Sequence, residues 1–404
     1  MLQAVLSMLE WLLWIAMVPS ALYIFVFALG SLKRRKTPAR PDGAAHGDGK
    51  PRFLVLFPAY GEDRVICRSV ETFLQQDYPA DRYRVAVISD HQTDATNERL
   101  SQLPITLHQP VFDRSSKARA MQYALAQVND SDYDYVVVLD ADNVVLPTFL
   151  QQLSAAVARY QAEVANSSGR VAIQCHRTAK NVDSDIAMLD GASEEINNSI
   201  FRRGHNRLGL SSALIGSGMC FSLSWFRENV NHLTTAGEDR ELEALLLRQR
   251  IFIRYEEDIL VMDEKVATGE NFQRQRLRWM SAQVQCLLAM LPHLPDALVH
   301  GNIDYADKTV QQALLPRSIL LVGTTAVALL VTVVSVAHSV KWWLLLLVVV
   351  TAVFVATPSR LRTKTLLSKA LIVPRLVGRM MSNILHIDRR NKDFIHTTHD
   401  HSLS

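Results

Sequence analysis

The chain has few cysteines, and no pattern groups them. Its 404 residues include four, which are Cys67, Cys175, Cys220 and Cys286. They lie far apart, and none belongs to a Cys-x-x-Cys pair. This spacing suggests neither a disulfide framework nor a zinc site. Four reduced thiols in a cytosolic domain are the simplest interpretation.

A strong charge of one sign is also missing. The formal net charge is +3, and no basic block is interleaved with aromatic residues in the manner of nucleic-acid-binding proteins. We therefore expect no nucleic-acid partner. Hydrophobic residues make up 49% of the chain, and their longest runs lie near its two ends, which indicates a membrane.

The first apolar run contains no charge. It extends from Trp11 to Leu29 and is long enough to cross a bilayer. A basic cluster at residues 33–36 follows it, whereas a signal peptide would carry its positive charge before a shorter run. By the positive-inside rule, the chain after this cluster faces the cytoplasm. We therefore predict a transmembrane anchor at 1–32 and a Pro- and Gly-rich linker at 33–51.

A second apolar region is predicted to form a transmembrane helical hairpin over residues 319–358. Its arms are Ile319 to Ala337 and Leu344 to Ala356, separated by a polar break from His338 to Lys341. An interfacial segment over 291–318 would precede it. Basic residues after the second arm again mark the cytoplasmic side. Three spans thus place both basic clusters on one face of the inner membrane.

Residues 359–404 are predicted to form a cytosolic interfacial helix and a tail. Leu366 to Leu385 alternates apolar residues with cations, so we interpret it as an amphipathic helix on the membrane surface. A fourth span is the alternative, which the charges make costly. The tail carries three histidines, His396, His399 and His401. A flexible tail or one that packs over the active site is expected, with metal binding as the alternative.

Between these ends, residues 52–290 alternate β-rich runs with helical stretches. Predicted strands cover Phe53–Phe57, Tyr83–Ser89 and Tyr135–Leu139, and predicted helices cover 64–76 and 116–128. Strands separated by helices imply an α/β fold with a mostly parallel sheet covered on both faces. In such sheets, ligands bind beyond the carboxyl ends of the strands.

Acidic residues gather at those carboxyl ends. The first strand is followed by Tyr60 and Glu62, the second by Asp90, and the third by the pair Asp140 and Asp142. An Asp-x-Asp pair after a buried strand can hold a hard divalent cation, which in turn bridges nucleotide phosphates. A helix N-cap is the alternative interpretation of this pair.

Two shorter segments follow in the second half of this region. The small residues Gly-Ser-Gly at 216–218 would let a ligand approach the backbone closely, or would simply form a turn. Glu238 and Asp239 open a predicted helix, where a carboxylate is usually a cap. Taken singly, each segment therefore keeps a structural interpretation beside the functional one.

The last motif lies on a predicted helix just before the membrane region. Gln275, Arg278 and Trp279 share one face of it, because spacings of three and four residues coincide on a helix. That face would offer an amide, a guanidinium suited to phosphate and a ring suited to a sugar. An arginine-rich helix lying on the membrane surface is the alternative.

In this order, the motifs resemble the family 2 glycosyltransferases of the GT-A fold. Among them, they are most similar to the membrane-embedded branch of cellulose, chitin and hyaluronan synthases. The resemblance covers residues 52–290 and the flanking apolar segments. It implies a Rossmann-like catalytic domain on the cytosolic face that uses a UDP-sugar and Mg²⁺ or Mn²⁺. The chain departs from the family at Ser89, His91 and Gly61, which affects contacts to the base rather than the reaction class.

The resemblance also implies a role for each matching position. Asp239 would be the catalytic base on the acceptor hydroxyl, and one displacement would invert an α-linked donor. Nucleotide and diphosphate would contact Tyr60, Glu62, Asp90, Lys117, Asp140, Gln275 and Arg278. The metal would be held by Asp140 and Asp142. The acceptor would contact Gly216, Ser217, Gly218, Glu238 and Trp279.

Three functions stay open at this point. The first is polysaccharide biosynthesis, in which N-acetylglucosamine or glucose is added to a growing β-linked glycan. The second is a single addition to a lipid acceptor, as in ceramide glucosyltransferases. The third is a non-catalytic scaffold, which should have lost Asp239 or the Asp-x-Asp pair. The first is favoured because oligochitin-type synthases also have few spans, although a conduit would need interfacial helices or a homo-oligomer for completion.

Overall fold

The computed structural model describes residues 2–34, 49–129, 131–163, 169–235, 237–265, 269–369 and 372–384. Most of the predicted linker lies outside the described residues. So does the whole predicted tail with its three histidines. The expectations for these two segments therefore stay predictions.

A single mixed sheet forms the centre of the globular region. Its strands are β1 (Phe53–Tyr60), β2 (Tyr83–Asp90), β3 (Thr106–His108), β4 (Tyr135–Val138), β5 (Val144–Val145), β6 (Ala172–Ala179), β7 (Met219–Ser222) and β8 (Arg254–Asp263). They lie in the order β3-β2-β1-β4-β7-β6-β8-β5. The first four strands are mutually parallel, as predicted. β7 is antiparallel to both of its neighbours, β4 and β6.

Helices cover the sheet and extend from it. They are α1 (Leu2–Ser31), α2 (Ile66–Phe73), α3 (Asp94–Ser101), α4 (Lys117–Ala126), α5 (Phe149–Glu163), α6 (Asp185–Asn197), α7 (His205–Leu208), α8 (Leu223–Val230), α9 (Glu238–Arg248), α10 (Gly269–Met290), α11 (Leu294–Val299), α12 (Ile303–Ala313), α13 (Arg317–Val334), α14 (Val336–Ala356), α15 (Lys364–Lys369) and α16 (Val373–Ile384). A π-helix, Asn198–Gly204, joins α6 to α7. 

The sheet is buried on both faces, which explains its continuous apolar strands. Successive side chains of a strand point to opposite faces. In β1, Phe53, Val55 and Phe57 pack with α2 and α5, whereas Leu54 and Leu56 pack with α4 and α8. Because the strands are parallel and in register, their carboxyl ends meet at one edge. The predicted acidic residues therefore arrive at that edge together.

Among the described residues, three helices are long and apolar enough to cross a membrane. They are Ser7–Ser31 of α1, Arg317–Val334 (α13) and Val336–Ala356 (α14). The predicted polar break at His338 to Lys341 is wrong, because this segment lies inside α14. The turn between α13 and α14 is Ser335 alone. Its hydroxyl accepts a hydrogen bond from the His338 amide at 3.4 Å and so caps α14.

Within the stretch from Leu366 to Leu385 that was predicted to be one helix, the described residues lie mostly in the helices α15 and α16. Residues 370 and 371 between them lie outside the described ranges. Leu376 of α16 is buried against Phe272 of α10. Part of the apolar face assigned to the membrane surface is therefore used in packing against the helix that carries the last sequence motif.

The last turns of α1 dock onto the globular region through polar contacts and close backbone packing. The Tyr23 hydroxyl donates to Asp307 Oδ1 of α12 at 2.9 Å and lies 2.8 Å from His205 Nε2. The rings of Phe27 and His205 stack at 3.6 Å. The Ser20 hydroxyl accepts from the Leu315 amide at 3.2 Å. These contacts fix the orientation of α1 relative to the globular region.

Adding a methyl group at Gly204 is expected to destabilise this docking. A Cβ there would overlap the carbonyl oxygen of Phe27, which is backbone and cannot move away cheaply. We expect Gly204→Ala to cost about 1–3 kcal/mol, as overpacking typically does. The thermal midpoint of the detergent-purified protein measures this. Gly378→Ala in α16, where a Cβ meets nothing within 4 Å, is the control; equal midpoints for both variants would contradict the expectation.

Candidate active site

A cavity of about 300 Å³ opens at the carboxyl edge of the parallel strands. The structure brings nearly all of the predicted site residues to its walls. Those that line it are Tyr60, Glu62, Asp90, Lys117, Asp140, Asp142, Gly216, Glu238, Asp239, Gln275, Arg278 and Trp279. Residues from seven separate segments of the sequence therefore share one site.

Ser217 and Gly218 are the two predicted residues that do not line the cavity. Ser217 is fully buried, and its hydroxyl donates to the Asn143 side chain. The Gly218 amide donates to the Val138 carbonyl at 2.9 Å. Gly218 has a φ of +64°, and a Cβ there would lie 3.0 Å from Val261. The geometry therefore gives both residues a role in leading the chain into β7, and not one facing a ligand.

Lys117 lines the cavity and contacts residues from two other segments of the chain. Ser116 caps α4, and this places the lysine at the first position of the helix. Its ammonium contacts Asp140 Oδ1, donates to the Gly216 carbonyl at 2.6 Å and lies 3.7 Å from Glu238 Oε1. Burial lowers the pKa of Lys117, but attraction by Asp140 and Glu238 outweighs it, so the net pKa is raised. The lysine is therefore cationic at neutral pH.

Glu238 and Asp239 are the first two residues of α9 and also line the cavity. A Cβ at Gly216 would lie 3.8 Å from Asp239 Oδ2 and 3.8 Å from Glu238 Oε1, so the glycine keeps this space open. Burial raises the pKa of Glu238 to about 7, while Lys117 acts in the opposite direction. Asp239 Oδ1 accepts from the Arg240 amide at 2.9 Å. The other oxygen of Asp239 is the one beside Gly216.

Asp140 and Asp142 supply oxygen ligands of the kind that Mg²⁺ and Mn²⁺ prefer. The Asp140 side chain is 34% exposed toward the cavity. Asp142 is buried, and its carboxylate accepts from the Glu264 amide at 2.7 Å and from Asn143 Nδ2 at 3.1 Å. Within the described ranges, no group of three or more His, Cys, Asp or Glu residues could hold a metal by itself. The pair suits a cation that is also bound by substrate phosphates.

The helix α10 presents the predicted face to the cavity. Gln275, Arg278 and Trp279 all line it. Gln275 Oε1 is buried and accepts no hydrogen bond from the described part of the chain. Arg276 places its guanidinium 4.4 Å from the ring centre of Trp279 and pairs with Asp190. A buried acceptor atom with no partner is suited to a donor group on a ligand.

The sequence analysis missed a second charged wall. It is built by β6, α6, the π-helix and the residues at the end of β8, and it contains Arg177, Asp190, Glu194, Arg202, Asp263 and Lys265. Arg177 Nε lies 2.6 Å from Glu194 Oε1 and 3.4 Å from Asp263 Oδ2. Burial lowers the pKa of Lys265 to about 7. Polar residues at 190, 193, 194 and 197, spaced along one helix face, were the available signal.

A methyl group at Gly237 is expected to push α9 away from α10, and residues of both helices line the cavity. The Cβ would lie 2.9 Å from Ala282 Cβ of α10, so α9 and its Asp239 must move away. We expect Gly237→Ala to cost about 1–3 kcal/mol in packing and to reduce turnover. The double variant Gly237→Ala/Ala282→Gly restores the space. The single variant Ala282→Gly is the reference. If the double variant turned over no faster than Gly237→Ala, the contact between residues 237 and 282 would not control the position of Asp239.

The chain is similar in sequence to known glycosyltransferases. A family model described as Glycosyltransferase like family 2 matches residues 51–282. The probable glycosyltransferase YdaM of Bacillus subtilis is 28% identical over 100 residues, 23% of this chain and 23% of that protein. The beta-monoglucosyldiacylglycerol synthase of Synechocystis is 29% identical over 150 residues, 36% of this chain and 30% of that protein. Each match thus spans less than a third of the relative.

A solved structure shares the fold. The mannosyltransferase PcManGT from Pyrobaculum calidifontis, in complex with GDP-Man and Mn²⁺, superposes with a TM-score of 0.54 at 17% sequence identity. The alignment covers 86% of this chain and 96% of that one. The predicted Rossmann-like GT-A arrangement is therefore confirmed. The family match over residues 51–282 confirms the prediction that this chain is a transferase.

Proposed function

The chain belongs to glycosyltransferase family 2, and from this membership we propose that it moves one sugar from a UDP-sugar to an acceptor hydroxyl with inversion at the anomeric carbon. The observation that carries the proposal is the position of Asp239. It shares one cavity with Lys117, Asp140 and Arg278, the groups suited to a sugar diphosphate. The proposed base and the proposed diphosphate-binding groups thus line one cavity.

The donor nucleotide would lie across the ends of β1 and β2. Tyr60 and Asp90 are register partners there, and the Tyr60 ring lies 5.0 Å from that of His91. Asp90 is buried and lies 2.6 Å from His91 Nδ1. We assign base and ribose contacts to Tyr60, Glu62 and Asp90. The diphosphate would then contact Lys117, which lines the same cavity.

The reaction would be a single displacement. The acceptor oxygen attacks the anomeric carbon and gives its proton to Asp239, while the bond to the diphosphate oxygen breaks and the nucleotide diphosphate leaves with the electron pair. Lys117 and Arg278 offset the negative charge that develops on the leaving group. A divalent cation bound at Asp140 and Asp142 would neutralise further charge on the diphosphate. One displacement inverts the anomeric configuration.

We propose a lipid hydroxyl as the acceptor, and a growing glycan as the second candidate. Apolar side chains fill the space between α1, α13 and α14, with Ala21, Leu320, Trp342 and Val349 at the centre. The described helices thus offer no polar conduit for a glycan in one protomer. The name of the Synechocystis relative also points to a diacylglycerol-derived product. This reverses the order of preference that the sequence motifs alone favoured.

The proposed setting is the cytosolic face of the inner membrane. Residues 52–290 would form the catalytic domain, and α1, α13 and α14 would span the bilayer. Such an arrangement places the cavity close to the membrane surface, because Arg317 at the start of α13 donates to Ser193, which lines the cavity, at 2.8 and 3.1 Å. An acceptor held in the membrane could then reach the cavity without leaving the bilayer.

Release of UDP by the detergent-purified protein tests the proposed function. Each common UDP-sugar would be supplied in turn with Mg²⁺ or Mn²⁺, with vesicles made from a membrane lipid extract. We expect turnover with one donor and a product that partitions with the lipid. A water-soluble ladder of oligosaccharides would favour glycan elongation. No UDP release with any UDP-sugar would contradict the donor assignment.

A further inference from the structure

The π-helix after α6 changes which side chain faces the cavity. On α6, residues 190, 193, 194 and 197 line it, which is the i, i+3, i+4, i+7 spacing of one α-helical face. A continued α-helix would next present residue 200 or 201. Ile200 and Phe201 instead pack in the apolar cluster with α1. The cavity receives Arg202, five residues after Asn197, as the i to i+5 repeat of a π-helix allows.

The guanidinium of Arg202 is buried and forms no ion pair within 4 Å in the described part of the chain, although Glu243 and Asp239 lie close enough to attract it. The residue is 4% exposed. Its Nη1 donates to Asn198 Oδ1 at 3.0 Å, and its Nε makes no hydrogen bond. Burial lowers the pKa of Arg202 to about 10, so the side chain stays charged at neutral pH. A buried charge that lacks a partner is costly, and a bound anion would offset that cost.

The neighbouring arginine shows the contrast. Arg203, on the same π-helix, is 2.6 Å from Glu257 Oε2 and does not line the cavity. The other buried cations of the missed wall also have carboxylate partners, since Arg177 and Lys265 share Glu194. Arg202 thus differs from the neighbouring cations in two ways: it is placed in the cavity by the π-helix, and its hydrogen bonding is incomplete.

Arg202 lies on the side of the cavity away from the proposed nucleotide contacts. The nucleotide residues follow β1 and β2, whereas the π-helix packs over β6 and β8, which are separated from β1 by β4 and β7. Asn198, in the same turn, donates to the Arg177 carbonyl of β6 at 2.9 Å. The donor diphosphate already has Lys117 and Arg278. Arg202 is therefore available to a second molecule.

We propose that Arg202 binds an anionic group of the acceptor, a phosphate or a carboxylate, and so positions the acceptor hydroxyl toward Asp239. Guanidinium groups recognise both anions through paired, charge-assisted hydrogen bonds. This inference rests on the proposed function and deepens it, since it assigns a chemical class to the acceptor. Arg202 is a positioning residue and takes no part in the proton transfer.

Two successive titrations of the full-length, detergent-purified protein test the inference. UDP with Mg²⁺ is titrated first, and its binding checks the donor site alone. Glycerol 3-phosphate and glycerol are then titrated separately at saturating UDP. We expect the wild type to bind glycerol 3-phosphate more tightly than glycerol. We expect Arg202→Gln to weaken that binding about tenfold or more, as loss of a charged hydrogen bond does, with UDP affinity unchanged.

Arg203→Gln is the matched control, because it removes a cation from the same π-helix outside the cavity. It should leave both affinities unchanged. Arg202→Lys keeps the charge and should retain part of the binding. A second arm replaces glycerol 3-phosphate by phosphatidylglycerol vesicles in phosphatidylcholine and measures stimulation of UDP release. If Arg202 is needed for stimulation by the vesicles but not for binding of glycerol 3-phosphate, the anion is a lipid headgroup. If Arg202 is needed for binding of glycerol 3-phosphate, the anion belongs to a soluble acceptor.

The inference is overturned if the wild type binds glycerol 3-phosphate no better than glycerol and the vesicles give no stimulation. It is also overturned if Arg202→Gln behaves like the wild type in both arms, or if Arg203→Gln shows the same loss. A wild type that fails to bind UDP in the first titration would instead contradict the proposed function. The two failures are therefore distinguishable.

Discussion

Replacing Asp239 by asparagine is expected to lower kcat about a thousandfold, because a positioned general base contributes about 10²- to 10⁴-fold to the rate. The amide has the shape of the carboxylate but cannot take the acceptor proton. Its oxygen can still accept the hydrogen bond from the Arg240 amide that Asp239 accepts at 2.9 Å. Binding of UDP should therefore be unchanged. Single-turnover rates and UDP titration measure the two quantities separately.

Glu241→Gln is the control for damage to the same helix turn. The Glu241 carboxylate accepts from the Thr234 amide at 2.8 Å and does not line the cavity. Its replacement should lower stability slightly and leave kcat unchanged. If Asp239→Asn kept most of the wild-type rate, or if Glu241→Gln were equally inactive, the assignment of Asp239 as the base would be wrong.

Removing divalent metal is expected to abolish turnover, and Asp140→Asn should raise the metal concentration needed for half-maximal rate about tenfold or more. The reason is that Mg²⁺ is usually bound through one or two carboxylates plus substrate phosphates, so that each carboxylate contributes heavily. Titration of Mg²⁺ or Mn²⁺ into the chelator-treated protein gives both results.

Asp134→Asn is the matched control for this second prediction. Asp134 directly precedes β4, at the end of the strand away from Asp140, and pairs with Arg52 at 3.3 Å on the surface. Its replacement should not change the metal requirement. Full turnover in the presence of excess chelator would contradict the assignment of Asp140 and Asp142 to a metal.

The sheet edge that carries the site could be predicted because its determinants are local. Runs such as Tyr135 to Val138 are continuous and β-branched, so the strand and the residues after it could be placed from the sequence. The antiparallel insertion of β7 between β4 and β6 could not be predicted in this way. Strand direction in the sheet depends on contacts between residues about 80 positions apart, such as Val137 with Cys220.

The charged wall that the sequence analysis missed could not be predicted for a different reason. Its cations and carboxylates come from β6, α6, the π-helix and the end of β8, so only the tertiary fold reveals that they meet. The entry of Arg202 into the cavity depends on one extra residue in a helical turn, and residue type alone does not specify a π-turn. Similarly, Gly216 and Gly218 both have positive φ, yet only Gly216 faces the cavity, because Gly218 directly precedes β7 and already pairs with Val138 of β4.

The anomeric configuration of the first product tests the central claim most directly. Proton NMR of the product formed from an α-linked UDP-sugar distinguishes the two outcomes through the coupling of the anomeric proton. A single displacement assisted by Asp239 predicts a β-linked product. An α-linked product would mean a second nucleophile or a different reaction face, and would contradict the proposed role of Asp239.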